Sequence, residues 1–387
     1  MSFNQYTWDL YKQTTIGIEM IKYFSDAGGY VLFKDYCPYA NFIPEDLYND
    51  WLENIYCYGV SDYDHPSSLE EAKDLYISLI TLGIRVEGQQ WLPANDFKNM
   101  LGIIQPMSYV LSQFAPEYFF PYLFLCRIFE LNKIADFFNI DLPNIPKRTD
   151  YKGRCMYYWE LCEVFYLFRK ENGLSPADLW SFLYDFAPNN LPSEKIDMPK
   201  PSQVWFIGGR LYQEDKSLES KFWQSSPETK KGDILVHYET SPISAITCIE
   251  ISLTDGVIDP LFRYYGCIYI GNRINIPHIT LKELQTDEYF FKHPLVRKNF
   301  QGVNGWSVNS ENYSELLRMI KTKGFDIEVL PKLYAPTLPK DVIIEYEHDV
   351  EQQLLEPLLN SMGWYENKDF IRQLPIQAGR GHRIFPD

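Results

Sequence analysis

The sequence has no H-x-x-x-H, no H-E-x-x-H and no C-x-x-C, so the usual spacings of a zinc site are missing. Its six histidines and seven cysteines are scattered, and an odd cysteine count argues against a disulfide framework. Cys155 and Cys162, seven apart on one helical face, read as buried core. Without a P-loop or a G-x-G-x-x-G, ATP and dinucleotide chemistry have no support. No apolar run approaches the ~20 residues needed to cross a bilayer. The first residues, Met1-Ser2-Phe3-Asn4-Gln5-Tyr6, lack the basic start and apolar stretch of a signal peptide, and a cytoplasmic protein with no membrane partner is expected. Positive charge is scarce, with 36 Lys and Arg against 52 Asp and Glu and a net charge of −16. A chain this acidic does not wrap nucleic acid with its whole surface.

Folding material is plentiful: 387 residues, 45% hydrophobic and 16% aromatic, room for two to four domains at ~100 to 200 residues each. Charge is distributed unevenly, at −11 over residues 1–200, −1 over 201–335 and −4 over 336–387, so the near-neutral middle is where a polyanion would be held. Residues 1–200 read as mainly helical. Ser68-Leu69-Glu70-Glu71 has the form of a capping box opening a helix that leaves through Gly83. Tyr158, Leu161, Phe165 and Phe168 form a stripe that stops at Asn172-Gly173, and Ser175-Pro176-Ala177-Asp178 caps a new helix. This helix-turn-helix-like hairpin admits DNA contact, but its acidic side chains favour packing. Past the joint Met198-Pro199-Lys200-Pro201 the period shortens to strand length. Val204–Ile207, Ile234–Tyr238, Ala245–Ile251 and Ile268–Ile270 read as strands of a mostly antiparallel β unit, with helices near Leu218–Trp223 and Tyr313–Lys321. A second joint at Pro331, Pro336 and Pro339 precedes a helix from about Asp341 to Met362.

The order Val204-Trp205-Phe206-Ile207, a helix ending Lys221-Phe222-Trp223, then Lys231-Gly232-Asp233 before His237-Tyr238, resembles the EVE domain over Ser202–Ile320. EVE domains are PUA-like β-barrels related to the YTH readers of methylated adenine. The resemblance implies a pocket in which a modified base, taken out of its stack, lies between aromatic faces. Trp223 aligns best with a cage tryptophan; Tyr238, Tyr265 and Trp306 are further pocket candidates, and Arg297 with Lys298 are candidates for the flanking phosphates. For each aromatic the other reading is core packing, and for the two cations a solvated surface.

The stretch Glu345–Trp364, with Gln377–Asp387 ending in Pro386-Asp387, resembles the opening of the nuclease domain of type I restriction R subunits, in the PD-(D/E)xK superfamily. The resemblance implies Asp387 as a Mg²⁺ ligand and Glu347 or Glu351 as the helix acid. A (D/E)xK is missing after Asp387, and Glu366-Asn367-Lys368 precedes the Pro-Asp, so the 387-residue chain is expected to be catalytically inactive and to hold no Mg²⁺ tightly.

The expectation is therefore an α+β multidomain protein: an acidic helical domain over 1–200, a PUA-like β-barrel (EVE) reader over 201–335, and the first part of an α/β restriction-nuclease domain over 336–387. Such a pairing is that of a modification-dependent restriction endonuclease in antiviral defence, with DNA bearing a modified base as partner, Mg²⁺ as the cofactor of an intact nuclease, and a homodimer left open. The alternatives are a non-catalytic RNA-binding module and an interaction scaffold.

Overall fold

A computed structural model of the chain describes residues 3–37, 40–86, 89–192, 198–210, 220–334, 343–362, 364–371, 376–377 and 383–384. Two units separate. Unit 1 takes residues 1–194 together with 257–266; unit 2 takes 195–256 and 267–387. Among the described residues no helix is long and apolar enough to cross a membrane.

Unit 1 is built from α1 (Gln5–Gln13), α2 (Thr15–Asp26), α3 (Gly29–Tyr36), α4 (Glu45–Ile55) and α5 (Leu69–Leu82). A hairpin of β1 (Ile84–Val86) and β2 (Gln89–Leu92) follows. Then come α6 (Phe97–Met100), α7 (Ile104–Phe114), α8 (Ile128–Phe138), α9 (Tyr151–Glu171), α10 (Pro176–Ser181) and α11 (Ala187–Asn190). The capping signals act where the sequence puts them. Ser175 and Asp178 form the full reciprocal box, and Gly83 turns the chain out of α5 at φ +76°. At α5 the Ser68 hydroxyl accepts from the Glu71 N–H at 3.2 Å, but the Glu71 carboxylate reaches one residue further back, to the Ser67 N–H at 2.7 Å. Aromatic residues fill the core: Trp8 is fully buried, stacked on Tyr11 and edge-on to Phe182 and Phe186. The α9–α10 hairpin packs rather than presents a basic face, since Arg169 is buried and donates to the Leu174 carbonyl and the Glu117 carboxylate. Cys155 and Cys162 are buried on α9, and burial pushes both thiols up to about 12.

The excursion 257–266, with β7 (Val257–Ile258), is fixed inside unit 1 by hydrogen bonds. Arg154 of α9 donates to the carbonyls of Pro260 (2.8 Å) and Phe262 (2.7 Å), while the Asp259 carboxylate accepts from the N–H groups of Leu261 and Phe262. The sequence reading kept this segment within 201–335; its backbone polar groups are answered by the helical unit.

Unit 2 has one curled mixed sheet with strand order β4-β8-β6-β5-β3-β9. Its strands are β3 (Val204–Gly209), β4 (Ser220–Gln224), β5 (Ile234–Glu239), β6 (Ala245–Ser252), β8 (Gly266–Thr280) and β9 (Trp306–Val308). All pairings on this path are antiparallel except β3 with β5. Alternate residues serve two cores. Val204, Phe206, Ile234, Val236 and Ile249 pack with α12 (Leu281–Thr286), α13 (Pro294–Arg297) and α14 (Ser310–Thr322) on one face. Trp205, Ile207, Leu235, Ile268 and Ile270 meet on the other, where Trp223 joins them. The expected helix ending at Trp223 is, at 220–224, strand β4, paired with β8 so that Trp223 lies opposite Ile268. Local letters suited either state; a β8 of 15 residues, long enough to pair with both β6 and β4, decides it.

The Lys231-Gly232-Asp233 motif is a clamp. The Asp233 carboxylate accepts from the Lys230 N–H (2.8 Å), the Trp205 indole N–H (2.9 Å), the Gln203 N–H and the Ser202 hydroxyl (both 3.2 Å). It thereby ties the starts of β3 and β5 together. Further on lie α15 (Glu347–Val350), a π-helical turn Glu351–Leu355, α16 (Glu356–Ser361), and β10 (Ile376–Gln377) paired with β11 (Arg383–Ile384). Lys368 of Glu366-Asn367-Lys368 pairs with Asp255 at 2.7 Å, and Asp369 pairs with Lys230. These letters serve a structural contact.

Candidate nucleic-acid interface

Strands β3 and β5 run parallel and in step, from Val204 opposite Ile234 to Gly209 opposite Glu239, so both end at the same level. Two glycines close β3 because neighbours come too near for a side chain. A Cβ on Gly208 would meet Val303 Cγ1 at 2.4 Å, and one on Gly209 would meet Trp223 Cζ2 at 2.5 Å. Between these ends sits Asn304. Its carbonyl oxygen accepts from the Gly208 N–H at 2.7 Å and the Trp223 indole N–H at 3.3 Å, and its amide donates to Gln224 at 3.3 Å. Since β4 and β9 are the two edges of the sheet, the one side chain just before β9 laces them together and curls the sheet.

Next to Trp223 lies a set of polar groups in an apolar surround. The Trp223 and His237 rings meet edge to face, centroids 4.8 Å apart. His237 faces Cys248 across the β5–β6 pair, and Leu235 faces Glu250, which places Glu250 diagonally next to His237. The Glu250 carboxylate receives the His237 Nδ1 hydrogen at 3.0 Å on one oxygen and Arg273 Nε at 2.9 Å on the other. Burial alone would raise this carboxyl, but His237 and Arg273 hold it below the usual carboxylate range. His237 is fully buried, and its Nε2 has no hydrogen-bond partner among the described residues.

His237, Cys248 and Glu250 offer three donor atoms within 4.8 Å of one another, a spacing a metal ion could use. The chemistry argues otherwise. A metal needs the thiolate, yet burial and Glu250 push the Cys248 thiol up to about 12, and the positive charge Glu250 requires is already supplied by Arg273 at 2.8 Å. The set is a hydrogen-bonded charge network.

The residues singled out from the sequence are only partly brought together. Trp223 stands at the strand ends, partly buried. Tyr238 is buried on the helix-covered face, stacked on Phe300 with centroids 4.0 Å apart and planes within 2°. Trp306 opens β9 and packs against that same core, edge-on to His293. Tyr265 belongs to unit 1, where its hydroxyl donates to the Pro146 carbonyl at 2.6 Å and its ring faces the Arg154 guanidinium. Arg297, ending α13, and Lys298 are exposed and form no ion pair among the described residues. Glu351 begins the π-helical turn; Glu347 opens α15, its side chain lying outside the described residues, as does the whole of Asp387.

His237, Glu250, Arg273 and Asn304 were not singled out. Glu250 carried a usable signal: a carboxylate inside Ala245-Ile246-Thr247-Cys248-Ile249-Glu250-Ile251 must be paired if that strand is buried.

No protein-family model and no curated protein matches the chain. Solved structures with local likeness include a protein of Rhodopseudomonas palustris determined by NMR (14% identity, TM-score 0.27, covering 31% of this chain and 94% of that one). A hypothetical protein from Leishmania major has 12% identity and TM-score 0.27, over 32% of this chain and 98% of that one. A protein from Agrobacterium tumefaciens has 18% identity and TM-score 0.27, over 30% of this chain and 92% of that one.

Proposed function

We propose that unit 2 binds DNA through one modified base, extruded from its stack and laid against Trp223. The observation that supports this reading is an indole held by its N–H at the meeting point of the two sheet edges, with a buried His237–Glu250 pair, joined by the partly buried Arg273, beside it. A base has a π face and a polar edge, and an aromatic plate next to an unsatisfied polar group answers both needs. Gly209 leaves the room that the Trp223 ring occupies, while the exposed Arg297 and Lys298 are available for phosphates.

In the same reading Asp387 with Glu347 or Glu351 would belong to a Mg²⁺-dependent nuclease. The side chains of Glu347 and Asp387 lie outside the described residues. The function proposed for this chain is recognition. It is tested by titrating the 387-residue chain with oligonucleotides that do or do not carry a modified base, as DNA and as RNA. Trp223→Ala should lower affinity for the preferred ligand by ~1 to 3 kcal/mol, about 5- to 150-fold. Equal binding of modified and plain oligonucleotides, or an unchanged Kd in a folded Trp223→Ala protein, would overturn it; tighter binding of the RNA would transfer the reading to RNA.

A further inference from the structure

Resting on that reading, we infer that His237 is the edge reader of the site, its Nε2 accepting a hydrogen bond from an exocyclic amine of the bound base. The argument is one of donors and acceptors. Arginine can only donate and an ionised carboxylate can only accept, so Glu250, held by Arg273 on one oxygen, takes the Nδ1 hydrogen of His237 on the other. In the inferred state the ring carries one hydrogen, on Nδ1 towards Glu250, because a second on Nε2 would be a buried donor with no acceptor among the described residues. The opposite nitrogen then carries a lone pair. That nitrogen is buried and has no partner among the described residues, a cost the free protein bears. It belongs to the ring that Trp223 meets edge to face. In the inferred complex the indole leaves its 3.3 Å contact with Asn304 and stacks on the base, whose edge then reaches the ring. An amine at the base edge, as in cytosine or adenine, satisfies the lone pair; a carbonyl in the same place, as in a uracil or thymine, faces it acceptor to acceptor.

The network also contains its own control. In Glu250→Gln, Arg273 still requires an oxygen, so the carboxamide turns its NH₂ towards His237 Nδ1. Nδ1 must then accept, the proton moves to Nε2, and the reader becomes a donor.

The experiment compares two oligonucleotides that differ at one position, 5-hydroxymethylcytosine against 5-hydroxymethyluracil, in equilibrium titrations with the full chain. These bases share a substituent and exchange an amine for a carbonyl. The natural chain should prefer the cytosine by roughly tenfold; His237→Phe should bind both alike; Glu250→Gln should prefer the uracil. Circular dichroism and urea midpoints establish that each variant is folded, and if His237→Phe is not, the reversal in Glu250→Gln carries the test. Trp223-dependent binding of modified bases with a preference that neither variant alters would overturn the inference and leave the proposed function standing. A preference of the natural chain for the uracil would also overturn it. If no oligonucleotide binds in a Trp223-dependent way, the proposed function fails and this inference with it.

Discussion

Removing the Asn304 side chain is the most direct test of how the site is assembled. In Asn304→Ala the Gly208 N–H, buried and bonded to Asn304 at 2.7 Å, loses its acceptor. An unsatisfied buried donor costs ~1 to 3 kcal/mol, and the two 3.3 Å bonds add about 0.5 kcal/mol each, so unit 2 should lose ~2 to 4 kcal/mol. Asn304→Asp keeps an acceptor for both N–H groups and gives up only the donation to Gln224, so it should lose less than ~1.5 kcal/mol. Urea unfolding reads the difference. With nine tryptophans in the chain, the emission to follow is the difference between each protein and its Trp223→Phe counterpart, which reports on unit 2 alone. At ~1 to 3 kcal/mol per molar urea, the Asn304→Ala midpoint should fall by about 0.7 M or more. A midpoint within ~0.3 M of the natural chain, or equal losses in the alanine and aspartate variants, would refute the idea that this side chain holds the sheet edges together.

Glu250→Ala leaves the His237 and Arg273 hydrogen-bonding groups without their shared carboxylate in a buried position, and a loss of ~3 to 5 kcal/mol in the same urea assay is expected; a loss under 1 kcal/mol would mean that water replaces Glu250. At the start of α12 the hydrogen bond from Lys323, working against partial burial and helped by Thr280, holds the Glu283 carboxyl down to about 2. Because its pKa is depressed in the folded chain, its contribution is present above the ordinary glutamate value near ~4.3 and is lost as pH falls towards 2. Thr280→Ala should cost ~1 kcal/mol and flatten that acid limb, which unfolding at stepped pH would show. Oligonucleotide binding should depend on salt only modestly, with a log–log slope for about two to four phosphates at ~0.9 each in duplex DNA. A slope near −8 would demand a basic surface that a near-neutral middle segment does not supply.

What the sequence determined by itself is what neighbours along the chain decide. The capped start at Ser175–Asp178, the left-handed exit at Gly83 and the burial of Cys155 and Cys162 follow from spacings of three, four and seven residues, which one helix turn or face brings together. The change from helix to strand past the Pro-rich joint is equally local, since a period of two needs no partner to be seen. The site is not local. Trp223 and Asn304 lie 81 residues apart, and Glu250 gathers His237 from 13 residues upstream and Arg273 from 23 downstream. Whether Trp223 ends a helix or sits in a strand depends on a β8 long enough to reach it, and the letters around Trp223 do not contain that length. Tyr238 and Trp306 read as pocket residues because aromatics suit pockets and cores equally, and only the alternation of faces in the folded sheet sends them to the helix-covered core. Tyr265 goes to the helical unit because Arg154, more than a hundred residues earlier, answers the carbonyls of its loop. Sequence spacing fixes which groups share a turn or a face; strand order and register fix which faces meet, and the chemistry of this site lies where they do.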